Sequence, residues 1–211
     1  MGKQIIRGTK VVVEFDGGKC IHSRHCVLDS PAAFVPNAKG QWIHPDAVAP
    51  EAVMRVAHNC PSGAITARRL DGGPDEAAPA VNVIRVLENG PLAARAAIEL
   101  NGQPIGYRAT LCRCGQSNNK PFCDGSHVAA GFVASGEPAS KQITALEKSD
   151  RPLILEPQKN GPLQMTGSVE VVSGTGRTVR RATALTLCRC GQSKNKPFCD
   201  GSHVAAGFQA D

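Results

Sequence analysis

A sixteen-residue block occurs twice in this 211-residue chain, and no other feature constrains the fold as much. Cys112-Arg-Cys-Gly-Gln-Ser-Asn-Asn-Lys-Pro-Phe-Cys-Asp-Gly-Ser-His127 returns as Cys188-Arg-Cys-Gly-Gln-Ser-Lys-Asn-Lys-Pro-Phe-Cys-Asp-Gly-Ser-His203, with one difference, Asn118 against Lys194. Each copy carries three cysteines and a histidine in the same order and spacing. Four soft or borderline ligands on so short a segment point to a metal centre, and two copies to two centres. The chain has nine cysteines. That odd number cannot pair completely and divides naturally into three groups of three.

The N-terminus, Met1-Gly-Lys-Gln-Ile-Ile-Arg, lacks the apolar run and cleavage site of a signal peptide, and Gly2 lacks the downstream Ser or Thr of a lipidation signal. No apolar stretch approaches the twenty or so residues that cross a bilayer. The expected location is therefore cytoplasmic and off the membrane, where cysteines serve metals more often than disulfides. Aromatics are scarce, with one Trp, one Tyr and six Phe, while 22 Gly and 15 Pro imply many turns. Metal centres can staple so lean a core. Of the net charge of +6, nearly all lies after residue 80, with the repeats. No basic run interleaved with aromatics appears, so nucleic acid is not an expected partner.

Three segments are expected: 1–75, 81–134 and 151–211. In the first, Val11-Val-Val-Glu-Phe and Ala64-Ile-Thr-Ala-Arg-Arg-Leu read as strands. Ala49 to His58 reads as a helix with Pro50 in its first turn and Val53, Val56 and Ala57 on one face. Residues 71–80 read as a linker. The second segment has strand candidates from Val81 and Ala97, an Asn89-Gly-Pro-Leu turn, the hairpin signal Asn101-Gly102, and a return strand that delivers the chain to Cys112. The third repeats the plan from Leu153 through Asn160-Gly-Pro-Leu163 and Val169. The cysteine blocks are offset by 76 residues and the Asn-Gly-Pro-Leu turns by 71, which places an insertion of about five residues in the second hairpin. Ala134 to Lys141 reads as a flexible connector.

Within each block the residue types suit a metal. Cys112 and Cys114 flank Arg113, Gly115 permits a sharp bend, and Pro121 stiffens the approach to Cys123. Asp124 is an expected N-cap for a short helix that sets His127 about one turn beyond Cys123. Ser117, Ser126 and backbone N–H groups are candidate donors to cluster sulfur. A zinc site of three cysteines and one histidine uses the same ligands, but zinc sites usually pair ligands two to four residues apart, whereas Cys-x-Cys suits one iron of a two-iron cluster.

Both blocks resemble the CDGSH iron–sulfur (NEET) family through Cys-x-Cys-x2-Ser-x3-Pro-x-Cys-Asp-Gly-Ser-His, met at every fixed position in both copies. The likeness extends to the preceding Asn-Gly-Pro-Leu and the trailing Gly131-Phe132 and Gly207-Phe208. The resemblance implies a [2Fe-2S] cluster in each repeat. Cys112 and Cys114 would hold one iron and Cys123 and His127 the other; Cys188, Cys190, Cys199 and His203 would do the same in the second copy. Members of the family are commonly homodimers of one-motif chains with exchanged strands, so a tandem chain is expected to build the same pseudo-twofold pair within a monomer. Replacing a thiolate by a neutral imidazole makes a cluster less negative and easier to reduce. It also couples ligation to protons, so such a cluster is expected to be acid-labile. Lys120 and Lys196 lie near the sites and either tune them or are solvated.

Cys20, Cys26 and Cys60 remain. Cys20-Ile-His-Ser-Arg-His-Cys26 has the frame Cys-x2-Ser-x2-Cys, and Cys60-Pro61 stands where a distant Cys-Pro completes a bacterial ferredoxin set. The region resembles a divergent single-cluster ferredoxin domain over about sixty residues. Ser23 replaces one ligand and Ser30-Pro31 the nearer Cys-Pro. Three thiolates suit a [3Fe-4S] cluster, or a [4Fe-4S] cluster completed by serine, solvent, His22 or His25; three buried thiols without metal are the alternative. His44 and His58 have no expected role.

The expected fold is α+β: a small N-terminal ferredoxin-like domain and two β-rich CDGSH repeats forming an intramolecular pseudo-dimer. No nucleophile–base pair, paired carboxylates or phosphate loop stands out, so the expected function is not enzymatic. The expectation is an electron carrier whose partner is a redox protein. Its rivals are cluster transfer to an apo-acceptor protein, redox or pH sensing, and a zinc-stabilised interaction module.

Overall fold

The computed structural model describes residues 2–141, 143, 145, 146 and 152–211. The chain divides into two compact units, 1–77 and 78–211. The first is built on an antiparallel sheet of β1 (Lys3–Arg7), β2 (Val11–Asp16) and β3 (Ile65–Arg69), with β2 in the middle. The alternation of β2 sends Val11, Val13 and Phe15 into the core, where they meet Phe34, Ile43 and Val53. Phe15 packs edge-to-face on Trp42 with ring centroids 5.0 Å apart. Helix α1 (His25–Asp29) follows the first cysteine loop. Helix α2 (Pro50–Asn59) begins with the expected proline and buries Val53, Val56 and Ala57. Residues 71–80 have no regular structure, but they are tied down at one end: Asp71 accepts from the Arg69 guanidinium and Asp75 from the Arg69 N–H.

The second unit contains both repeats in one sheet. The first repeat supplies β4 (Val83–Val86), β5 (Leu92–Leu100) and β6 (Gln103–Leu111); the second supplies β7 (Leu153–Pro157), β8 (Leu163–Val172) and β9 (Thr178–Leu187). Both hairpins, β5–β6 and β8–β9, are antiparallel. Asn101 and Gly102, with φ of 50° and 76°, make the tight turn of the first. The second hairpin has longer strands and a five-residue loop, which accounts for the insertion.

The short leading strands cross between repeats. Strand β4 pairs antiparallel with β5 and parallel with β8, while β7 pairs antiparallel with β8 and parallel with β5. One edge of β5 therefore holds β4 at Leu92–Arg95 and then β7 at Ile98–Leu100. The handover coincides with a register shift between Arg95 and Ile98, and β8 shows the same shift between Thr166 and Val169. Each pairing made by the first repeat thus has a counterpart with the repeats exchanged. The core inside is shared, with Ile84, Leu92 and Ile98 of one repeat among Leu155, Met165 and Val171 of the other.

The stretch from Ala134 to Lys141 is not the free connector its composition implies. It lies along both repeats: Gly136 accepts from the Gly174 N–H, Glu137 accepts from Thr175, and the Lys141 N–H bonds Val179. Part of the rest of this connection, and Arg151 of the expected third segment, lie outside the described residues.

Candidate metal centres

Each repeat presents its cysteines at the end of a hairpin. Strand β6 runs directly into Cys112 and β9 into Cys188. Isolated bridges from Leu111 to Phe122 and from Leu187 to Phe198 fold the block back on itself. The Cys112 N–H then bonds Pro121 O at 2.8 Å, and the Cys123 N–H bonds Thr110 O at 2.8 Å. Lys120–Pro121 and Lys196–Pro197 are cis. The helices that carry the histidines, α3 (Ser126–Ala129) and α4 (Ser202–Ala205), are single turns.

The four expected ligands of each repeat come together as two pairs. Cys112 and Cys114 Sγ stand 3.8 Å apart, and Cys123 Sγ and His127 Nδ1 stand 3.4 Å apart. In the second repeat the separations are 3.7 Å for Cys188 and Cys190 and 3.5 Å for Cys199 and His203. No disulfide joins cysteines among the described residues. The thiols of the Cys-x-Cys pair are buried, whereas His127 and His203 are half-buried at the surface side. Backbone N–H groups of Gln116 and Gly125 donate to Cys114 and Cys123 Sγ at 3.4 Å. Gln192 and Gly201 do the same for Cys190 and Cys199. Donors already aimed at sulfur lower the cost of burying thiolates.

Electrostatics follows from this packing. The hydrogen bond with Cys114 lowers the Cys112 pKa and raises that of Cys114, so the pair favours one thiolate without metal. Burial raises Cys123 to about 11 and lowers His127, keeping its imidazole neutral and able to ligate. Burial would raise Asp124, but hydrogen bonds from Ser126 and Asn118 hold it down to about 2.

Two expectations about this loop are corrected. Asp124 does not cap the helix, because Gly125 in the left-handed region occupies that position; the carboxylate instead braces the loop by accepting from the Asn118 and Ser126 N–H groups. Ser117 does not point at sulfur. It donates to Phe122 O at 2.6 Å and accepts from the Asn119 N–H. The lysines are engaged rather than solvated: Lys120 Nζ donates to Ser117 O, and Lys196 Nζ to Ser193 O.

Arg113 and Arg189 were not singled out by sequence, yet they are among the largest fully buried side chains. Arg113 donates to the carbonyls of Leu87, Gly90, Ala134 and Ser135. Arg189 donates to those of Gln158, Gly161 and Asp211. Each guanidinium lies against the trailing aromatic of its repeat, Phe132 or Phe208. Asn89 and Asn160 complete the clamp: each takes the left-handed conformation and pairs through both side chain and backbone with Ala134 or Ala210. The Asn-Gly-Pro-Leu turns and Gly-Phe tails are thus distant parts of one site. The available signal was an arginine between two cysteines in both copies.

In the first unit, Cys20, Cys26 and Cys60 line one cavity of about 470 Å³, with Phe15, Trp42 and Ile65 among its apolar walls. A single water needs only about 10–15 Å³ by a comparable measure. Burial raises the Cys20 and Cys26 thiols, against N–H groups of His22 and Val27 that act in the opposite direction. The Ile65 N–H donates to Cys60 Sγ at 3.4 Å. His22 and Arg24 are left-handed, at φ 54° and 64°, the kind of backbone curl that turns successive N–H groups toward an anion. Ser23, His22 and His25 also line the cavity and are exposed. His44 bonds Gln41 O, and His58 faces Glu76.

Comparison with known proteins bears directly on both units. Residues 89–128 and 160–204 match the family described as iron-binding zinc finger CDGSH type. Residues 6–70 match the family described as divergent 4Fe-4S mono-cluster. The chain belongs to the CDGSH iron–sulfur family. It carries the CDGSH domain twice, preceded by the mono-cluster domain. It is 37% identical over 67 residues to the uncharacterized protein YjdI of Escherichia coli strain K12, a match covering 32% of this chain and 87% of that protein. The same figures hold for YjdI of Escherichia coli O157:H7. This tandem CDGSH chain is an iron–sulfur protein. Among the described residues no helix is long and apolar enough to cross a membrane.

Proposed function

We propose that this chain carries electrons through two [2Fe-2S] clusters, one on Cys112, Cys114, Cys123 and His127 and one on Cys188, Cys190, Cys199 and His203, without an enzymatic activity of its own. The observation that carries this reading is the pairing of the ligands. Two ligands on one tetrahedral ion at about 2.3 Å stand about 3.8 Å apart. Each of the four pairs has nearly that spacing, at 3.4 to 3.8 Å. Among the described residues no three His, Cys, Asp or Glu side chains converge as a single-ion site would need. Two ions per repeat, joined by bridging sulfide, match two pairs; one four-ligand zinc does not. The exchanged strands β4 and β7 support an intramolecular pseudo-twofold pair in a monomer. Cys20, Cys26 and Cys60 around one cavity support a [3Fe-4S] or [4Fe-4S] cluster in the first unit.

When bound, such clusters accept and release single electrons. The protein buries the thiolates, aims N–H groups at them and holds a neutral imidazole at the accessible side. That half-buried histidine also favours a second reading, transfer of the cluster to an apo-acceptor protein. A single experiment separates the two. Dithionite-reduced protein is mixed anaerobically with oxidised cytochrome c and an apo-ferredoxin. An electron carrier reduces the cytochrome and keeps its iron; a donor loses iron to the apo-ferredoxin.

A further inference from the structure

We propose that Arg113 and Arg189 are shared positioning residues, each setting the reduction potential of both CDGSH sites rather than of its own repeat alone. This rests on the two-cluster reading above. The geometry is reciprocal. Gly115, immediately after Cys114, lies so close to the other repeat that an added Cβ would overlap the Cys190 carbonyl oxygen and stand 2.6 Å from its carbon. Gly191 stands in the same relation to the Cys114 carbonyl, also at 2.6 Å from the carbon. The two Cys-x-Cys-Gly loops are therefore in backbone contact. The residue central to each pair is an arginine, 1% exposed in the first repeat and 2% in the second.

A buried cation carried by the residue beside this junction is unscreened by solvent, so its field acts over a longer distance than that of a surface lysine. Contact across the repeats reaches the guanidinium itself: Arg189 and Lys120 of the other repeat lie against the same ring, Phe208, at 5.6 and 5.8 Å from its centre. An arginine guanidinium stays charged at neutral pH. Carbonyls of the turn and tail fix the guanidinium in place, a task for which the planar fork suits arginine and not lysine.

Two functions are thus combined. The hydrogen-bonded fork clamps the loop, and the charge stabilises electrons arriving at either site. Reduction adds negative charge, so loss of the cation lowers the potential. Arg113→Lys keeps the charge and loses most of the fork, while Arg113→Met loses both.

The test is an anaerobic redox titration by electron paramagnetic resonance in a His127→Cys background. There the all-thiolate first site titrates below the histidine-ligated second site, and two components resolve. Arg113→Met is expected to lower both components, each by about tenfold in the one-electron equilibrium, or roughly 59 mV. Arg113→Lys is expected to leave both near their starting values while shortening the half-life of the visible chromophore. A shift confined to the first site, no shift at all, or an equal shift with Lys overturns the proposal. Should Arg113→Met fail to hold its clusters, Arg189→Met carries the same expectation for both components. Iron and sulfide analysis of the unmutated protein reports separately on the two-cluster reading. Full iron and sulfide with unmoved potentials refutes the shared arginine alone, and their absence refutes both.

Discussion

Replacing Gly115 by alanine tests whether the two repeats are built against each other. The added methyl meets two costs. Gly115 has a φ of +81°, where an L-residue is disfavoured by about 1–2 kcal/mol. The new Cβ also falls 2.6 Å from the Cys190 carbonyl carbon and 3.2 Å from the Gly191 nitrogen. Those are backbone atoms of a cysteine loop and cannot rotate away, so overpacking adds about 1–3 kcal/mol. The expected loss is about 2–5 kcal/mol. Gly102→Ala is the control: its φ of +76° is similar and nothing stands within 4 Å of its Cβ, so only the conformational cost of about 1–2 kcal/mol applies. Denaturant unfolding of holoprotein, followed by the visible chromophore and far-ultraviolet circular dichroism, measures both. Gly191→Ala should match Gly115→Ala, and the double variant should be non-additive, because the two loops press on the same contact. If Gly115→Ala proves no worse than Gly102→Ala, the reciprocal contact is wrong.

Further perturbations separate the remaining parts of the account. His127→Cys and His203→Cys should retain their clusters, titrate at lower potential and lose less colour in acid, as measured by redox titration and by absorbance against pH. Cys60→Ala should remove the paramagnetic signal of the first unit and leave the signals of the repeats unchanged. Asn89→Ala removes the acceptor for the Ala134 N–H, about 0.5–1.5 kcal/mol, and puts alanine at a φ of 50°, about 1–2 kcal/mol more, so it should cost about 1.5–3.5 kcal/mol in denaturant unfolding. Asp71 is held down to about 2 by its hydrogen bond with Arg69, below the ordinary 3.8. A depressed carboxylate contributes stability that is present above pH 3.8 and lost as pH falls through 2. Acid unfolding followed by the fluorescence of Trp42, the one tryptophan, should therefore depend less on pH in this window in Asp71→Asn.

Much of this was legible in the sequence for identifiable reasons. A sixteen-residue block repeated with one change leaves the ligand set little freedom, and each expected pair is indeed brought together. Asn101-Gly102 requires two left-handed residues and makes the expected turn. Pro50 starts α2, and the spacing of Val53, Val56 and Ala57 describes the face that is buried. What escaped depends on partners distant in sequence. An apolar run such as Val83–Val86 shows that a strand forms, but not that it will join β5 and β8 together, because those pairings are decided by the shared core. Arg113 was not singled out, because the Asn-Gly-Pro-Leu turn and the Ala134 tail that deliver carbonyls to it are distant in sequence. Ala134 to Lys141 has the composition of a flexible linker, yet its carbonyls and Glu137 accept hydrogen bonds from Gly174, Thr175 and Arg177 of the second hairpin. Asp124 is a good N-cap by residue type, but the Asn118 N–H and a left-handed Gly125 assign its carboxylate to the loop.

The most direct measurement is the iron and acid-labile sulfide content of anaerobically purified Cys60→Ala protein, together with its paramagnetic resonance after dithionite reduction. This variant leaves only the two repeats to be counted. The account predicts about four irons and four sulfides per chain, two of each for every [2Fe-2S] centre, and a signal that appears only on reduction. About two zinc ions per chain, with no sulfide and no colour, would contradict it.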